Sequence, residues 1–172
     1  VGRFLVGDAG LSAHDRAILQ KGYKFLEFTD CSPGDARGAQ LKALRDQIHG
    51  RYWLHLGQGW QFFAPENLIT RLTAVLDAEA QVFQVGINLA DAAGLTGISA
   101  PEQTVRRTAD AGRYVLAETV AKGPSMVDTA RLDQAGGVPG TDPDPITELA
   151  RRAAAAGLGT ASLDEVLCIT TV

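Results

Sequence analysis

Short apolar runs alternate with stretches of helical period along almost the whole chain, and this alternation is the strongest constraint on its fold. RFLVG (residues 3–7), YKFLEF (23–28), YWLHL (52–56) and VFQVGINL (82–89) have the length and composition of strands. SAHDRAILQKG lies between the first two, with Ser12 as a helix N-cap and Gly22 as its stop. GAQLKALRDQIHG follows, with Leu41, Leu44 and Ile48 at helical spacing. In PENLITRLTAVLDAEA, Pro65 suits a first helical turn, and Leu68, Leu72, Val75 and Leu76 form one apolar stripe. Beyond residue 90 the pattern loosens. It predicts a short helix around PEQTVRRTAD, one or two strands in RYVLAETVAKG and a short helix in SMVDTARLDQAGG. The turn-rich GVPGTDPDP, a helix opening at Pro145 and a last strand in ASLDEVLCITTV complete the chain. The expected architecture is α/β: a mostly parallel central sheet flanked by helices, in a Rossmann-like sandwich. A chain of 172 residues without a linker or repeat is expected to form a single domain over residues 1–172.

Composition narrows the function. Hydrophobic residues make up 45% and charged residues 21%, and the net charge is −4. An acidic balance disfavours nucleic acid as a partner, because phosphate backbones are held by basic faces. No apolar run approaches the roughly 20 residues that cross a bilayer, and the first residues read as a strand and not as a signal peptide. Two cysteines, Cys31 and Cys168, are too few for a disulfide scaffold, so a reduced, cytoplasmic setting is expected. Cys168 lies in the apolar run VLCI and is expected to be buried and inert. His14, His49 and His55 show no metal-ligand spacing.

In open α/β sheets, ligands bind beyond the carboxyl ends of the strands. Three polar loops follow strand ends, Asp8–Ser12, Thr29–Gly38 and Gly57–Trp60, and are expected to share one edge. The third poses the sharpest question. YWLHLGQGWQFF runs from a strand into a glycine pair and an aromatic cluster, with no charge at the tip. The glycines would let a phosphate approach backbone N–H groups, or they would simply make a tight turn. Trp60 is expected to be partly exposed and able to stack on a ring, with Phe62 or Phe63 in the core. Asp144 before Pro145 fits a helix cap, which leaves Asp142 the freer carboxylate of TDPDP. Lys122, Arg151 and Arg152 are candidate phosphate partners, although helix-face cations are more often solvated.

Four segments taken in order resemble a family-2 glycosyltransferase of the GT-A fold. FLVGDAGLS resembles its second strand and following turn, and GRYWLHLGQGWQFFAPENLITRLTAVLDAE its metal-motif strand and next helix. AKGPSMVDTARLDQAGG resembles the segment ending in a glycine pair, and GTDPDPITELARRAAAAGLGTASLDEVLCI the acidic loop, helix and last strand. The resemblance implies a nucleotide-sugar donor of UDP or GDP type and transfer of the sugar to an acceptor it does not identify. It implies a donor-binding role for Asp8 and for Gly57, Gln58, Gly59 and Trp60, and a general-base role for Asp142 or Asp144. Two departures qualify it. The opening strand and helix of the family have no counterpart, so a neighbouring domain or a dimer partner is expected to cover the exposed sheet edge. The DxD motif is replaced by Gly57-Gln58-Gly59, which makes Mg2+ or Mn2+ a poorly supported cofactor. The alternative is a catalytically degenerate binding or assembly domain of a larger protein. A third reading is an α/β enzyme of another type that uses the same loops on a different small molecule.

Overall fold

The structure is a computed structural model that describes residues 2–89, 99–142 and 144–170. The chain divides into two compact units, Val1–Gly50 with Val138–Glu148, and Arg51–Gly137 with Leu149–Val172.

The first unit contains a parallel pair, β1 (Phe4–Asp8) and β2 (Leu26–Asp30), joined by α1 (Ala13–Gly22). Ser12 caps α1 by accepting the Asp15 N–H at 3.0 Å, as its position before an amphipathic run predicts. Helix α2 (Arg37–Arg45) follows β2 and packs on β1, with Leu44 over Gly7. Arg3 ties the strand pair together through both carboxylate oxygens of Glu27 and reaches the Gln47 carbonyl at 2.8 Å. Phe4, Tyr23 and Phe25 form an exposed aromatic group at the opposite end of the pair from Asp8.

The second unit is built on a six-stranded sheet. Its members are β3 (Tyr52–His55), β5 (Val82–Gly86), β6 (Arg106–Thr108), β7 (Gly112–Ala117), β8 (Ser125–Asp128) and β9 (Gly159–Leu163), in the order β3-β8-β5-β9-β7-β6. The β5–β9 pair is parallel and the other four pairs are antiparallel. By direction β3, β5, β9 and β6 run one way, and β8 and β7 run the other. The sheet is therefore mixed, with a parallel majority of strands, and α3 (Leu68–Ala78) and α4 (Thr129–Gln134) pack against it. A separate antiparallel pair joins β4 (Trp60–Phe62) to β10 (Cys168–Thr170). Helix α5 (Pro145–Ala155) begins in the first unit and continues into the second.

Four sequence expectations shift in register or type. Helix α3 begins at Leu68 and not at Pro65, with Asn67 in the cap position at φ −81° and ψ 56°. PEQTVRRTAD forms a 3-10 turn at Glu102–Thr104 and then strand β6, with a two-residue period that sends Arg106 to Glu79 and Arg107 to Glu102. SMVDTARLDQ is strand β8 followed at once by α4, and ASLDEVLCITTV is two strands, β9 and β10.

Leu72, Val75 and Leu76 of α3 are completely buried and meet Val82, Val85, Ile87, Met126, Ala161 and Leu163 in the core. Each such side chain contributes roughly 2 kcal/mol by leaving water. Polar groups close the edges of this core. The Arg131 guanidinium donates to the carbonyls of Leu76, Glu79 and Val82 at 2.9, 3.1 and 2.6 Å and so satisfies the carboxyl end of α3. Glu79, the residue after α3, is buried and accepts from Arg106 at 2.6 and 2.7 Å, from the Tyr114 hydroxyl at 2.9 Å and from Gln81 at 3.1 Å. Burial pushes the Glu79 carboxyl up, but these donors outweigh it and hold the group below the usual glutamate range.

A lowered folded value means that Glu79 stabilises the fold above the ordinary glutamate range, and that this contribution is lost as pH falls through the folded value. Glu79→Gln is therefore expected to cost about 2 kcal/mol in urea unfolding at pH 7. The difference from wild type should shrink as the pH is lowered from 7 toward 3. An equal penalty at both pH values would show that the carboxylate charge plays no part.

Candidate functional site

In the first unit the carboxyl ends of β1 and β2 lie side by side, with Asp8 paired to Asp30 in register. The loops Asp8–Ser12 and Thr29–Gly38 therefore share an edge, as expected, whereas the third loop of that expectation, Gly57–Trp60, follows a strand of the six-stranded sheet. Asp8 is buried and fully engaged. Its Oδ1 accepts the N–H groups of Gly10 and Leu11 at 3.0 and 2.8 Å, and its Oδ2 meets Arg16 at 3.2 Å. The two backbone donors, aided by the Arg16 charge, hold the Asp8 carboxyl below the usual aspartate range. Arg16 also pairs with Asp30 and lies over the Phe28 ring at 4.9 Å. The turn after β1 is thus locked by its own acid. Burial, and then the charges of Asp35, Asp30 and Asp8, push the Cys31 thiol up, so it stays protonated at neutral pH.

The loop that carries Asp142 and Asp144 belongs to the same unit. It is seated on the first turn of α2 at Gly38. A Cβ at this position would lie 2.5 Å from the Pro139 carbonyl oxygen and 3.2 Å from that of Gly140. Asp144 is the cap of α5: its Oδ1 accepts the Thr147 N–H at 3.2 Å and its Oδ2 the Thr147 hydroxyl at 2.6 Å. Asp142 accepts the Asp144 N–H at 2.8 Å through Oδ1. Asp142 is half-buried and Asp144 exposed.

In the second unit β3 and β5 both run opposite to β8, so their carboxyl ends share an edge. At that edge the chain leaves β3 at His55, turns through Gly57–Gly59 and starts β4 at Trp60. Both glycines have a backbone reason. A Cβ on Gly57 would lie 3.3 Å from the Trp60 Nε1, because the indole packs over that residue. Gly59 has φ 79°, a left-handed conformation that costs other residues energy. Gln58 is exposed at the tip, and Trp60 is half-buried against the core. Phe62 and Phe63, one of which was expected in the core, are 37% and 60% exposed: the chain has left the main sheet by then and pairs only with β10. The turn offers a hard divalent cation one neutral amide oxygen and no carboxylate, and this donor set does not fit Mg2+ or Mn2+.

The same edge holds polar residues that sequence reasoning did not single out. Asn88, just past β5, is buried and bonds to Leu167 and Cys168. Asp164, at the end of β9, accepts from Arg113 at 2.7 and 2.9 Å and from the Ala100 N–H at 2.6 Å. Arg71 joins Glu165 at 2.6 Å and the Ala111 carbonyl at 3.1 Å. A buried Asn or Asp directly after an apolar strand was the available signal. Cys168 is fully buried, as its apolar run predicts. Arg152, a candidate phosphate partner, lies within 3.5 Å of the Gly136 carbonyl, whereas Lys122 and Arg151 are exposed.

Gly38→Ala is expected to destabilise the protein by roughly 2–3 kcal/mol, because the obstacle is backbone that cannot rotate away. Asp144→Ala should cost about 1 kcal/mol, the usual value of a lost cap. Urea unfolding checks both, and a neutral Gly38→Ala would show that the 139–140 segment yields freely.

No family model matches the sequence, and no curated protein does. The fold has counterparts among solved structures. GalNAc-T7, crystallised with UDP, GalNAc and Mn2+, matches over 95% of this chain with a TM-score of 0.70 and 9% identity. TarS 1–349 of S. aureus matches over 96% with a TM-score of 0.58 and 14% identity. The chain spans 36% and 50% of these two chains. Both are GT-A glycosyltransferases, and the fold of this chain is that of a partial GT-A-like domain, a mixed sheet flanked by helices. Among the described residues no helix is long and apolar enough to cross a membrane.

Proposed function

We propose that this chain is a GT-A-like domain that handles a nucleotide-sugar without a metal bound at the β3 tip. The supporting observation is the combination of a fold similar to that of GalNAc-T7, which was crystallised with UDP and GalNAc, with a glycine turn and a half-buried indole at the carboxyl end of β3. Gly57, Gln58 and Gly59 would face the donor phosphates with backbone N–H groups and one amide, and Trp60 would offer a ring edge. Asp8, for which the resemblance implies a donor-binding role, has both of its oxygens bonded within its own turn and would act only through that turn's shape.

As a transferase, the domain would use Asp142 as general base. The acceptor hydroxyl would give its proton to Asp142 as its oxygen bonds to the anomeric carbon, and the bond to the diphosphate would break with its electron pair leaving on the phosphate. Asp144 is the weaker candidate, because both of its oxygens cap α5. The charge-free turn favours a second reading, a degenerate GT-A-like domain that binds or assembles without transfer. The leaving diphosphate needs opposite charge close by, and Gly57-Gln58-Gly59 supplies none.

Calorimetric titration with UDP and with GDP separates these readings. Micromolar binding of one nucleotide, unchanged between Mn2+ and EDTA and weakened about tenfold by Trp60→Ala, is the expected result. Binding that requires Mn2+ would overturn the metal-free site. No heat with either nucleotide under both conditions would leave an assembly domain.

A further inference from the structure

The Gly57–Trp60 turn leads out of the main sheet into a second strand pair. β3 ends at His55, and the chain next gains regular pairing in β4, whose only strand partner among the described residues is β10. Trp60 pairs with Thr170 and Phe62 with Cys168, and the Phe63 N–H continues the contact to the Leu167 carbonyl at 3.0 Å. β10 therefore holds the backbone of Trp60, whose indole packs on the core and covers Gly57.

One side chain grips the start of β10, where Cys168 is also buried in the core. Asn88 Nδ2 donates to the Cys168 carbonyl at 2.8 Å and approaches its Sγ at 3.3 Å. Asn88 Oδ1 accepts the N–H groups of Leu167 and Cys168 at 2.8 and 3.2 Å. The amide thus reads the backbone at the start of β10 with donor and acceptor together, much as a strand partner would. Asn88 is 3% exposed, and its own carbonyl accepts the Ser162 hydroxyl at 2.6 Å, which anchors it to β9.

We infer that Asn88 is the positioning residue of the Gly57–Trp60 turn: it clamps β10, β10 holds β4, and β4 sets the indole over Gly57. The clamp stands on geometry alone, whereas its consequence for ligand binding rests on the nucleotide-sugar reading of the turn. A donor and an acceptor are both required, so no carboxylate can replace the amide. In Asn88→Asp the oxygen that takes the place of Nδ2 would face the Cys168 carbonyl. Only the protonated acid, which donates, rebuilds the contact.

The experiment uses a Trp53→Phe background, in which Trp60 is the single indole of the chain. Its emission maximum and acrylamide quenching are read from pH 5 to pH 8. The profile of the parent protein should be flat. Asn88→Asp should match the parent at pH 5 and give a red-shifted, at least twofold more quenchable indole at pH 8, while Asn88→Leu should be exposed at both. An Asn88→Asp profile as flat as the parent's would overturn the clamp. Amide exchange in the unmodified protein provides a measure that does not depend on how the variants fold. The Leu167 and Cys168 amides should be as protected as those of β5, and free exchange at both while β5 stays protected would equally sink the proposal. UDP and GDP titrations of the same samples keep the two readings apart. Loss of binding in step with indole exposure joins clamp to site, whereas a pH-switched indole in a protein that binds neither nucleotide upholds the clamp and removes the nucleotide reading.

Discussion

Strand β5 has no solvent face: all five of its residues are buried, and so are Ile87 and Asn88 beyond it. A strand in that position must satisfy each polar atom from inside the protein, because an unpaired buried group costs as much as a lost hydrogen bond. The side chains of Gln84 and Asn88 do more than fill their places. Gln84 donates to the Ala121 carbonyl at 3.2 Å and accepts the Ala121 N–H at 2.8 Å, as well as donating to Ser125. Thr160 of the neighbouring strand bonds to the carbonyls of Ala117 and Thr119 and holds the same connection between β7 and β8. The central strand and the residues just past it therefore fix two segments, one through Gln84 and one through Asn88. Gly86 allows the first of these to come close, since a Cβ there would lie 3.1 Å from that of Ala121.

Much of this was legible in the residues. Apart from β4 and the later start of α3, the strand and helix succession through residue 89, the Ser12 cap and the Asp144 cap follow from local chemistry that tertiary packing does not override. The order of elements was enough to suggest the GT-A resemblance, which the solved structures match in fold. What escaped notice lacks local punctuation. β8 runs into α4 with no glycine, proline or polar loop between them, so the helical pattern of TARLDQ absorbs the four strand residues. The separation of β9 from β10 depends on a contact 80 residues away, between Asn88 and Cys168. Phe62 and Phe63 look like core residues by type, and only the departure of β4 from the main sheet explains their exposure.

The candidate site was legible in part, and for a reason of charge. The acids singled out in the sequence are largely committed to backbone: Asp8 to its turn and Asp144 to a helix terminus, with Asp142 bonded to the next turn. The buried acids of the second unit follow the same habit. Asp128 caps α4, Asp164 holds the Ala100 N–H, and Glu79 gathers four donor contacts below α3. Carboxylates with both oxygens used in this way, as in Asp8 and Asp144, stiffen loops and do not present themselves to a ligand. The Gly57–Trp60 turn draws its character from glycine conformation and one indole, features that depend on packing more than on charge pattern.

Asp128 is the last residue of β8 and the cap of α4, so strand and helix share a boundary with no spare residue. A residue inserted there would turn the helix by about 100° about its axis and swing the buried Leu132 and Ala135 off the sheet. Arg131 would leave the end of α3 in the same rotation. Chain length at this junction is therefore as strictly set as residue type, and divergence of such a domain has to place its insertions elsewhere.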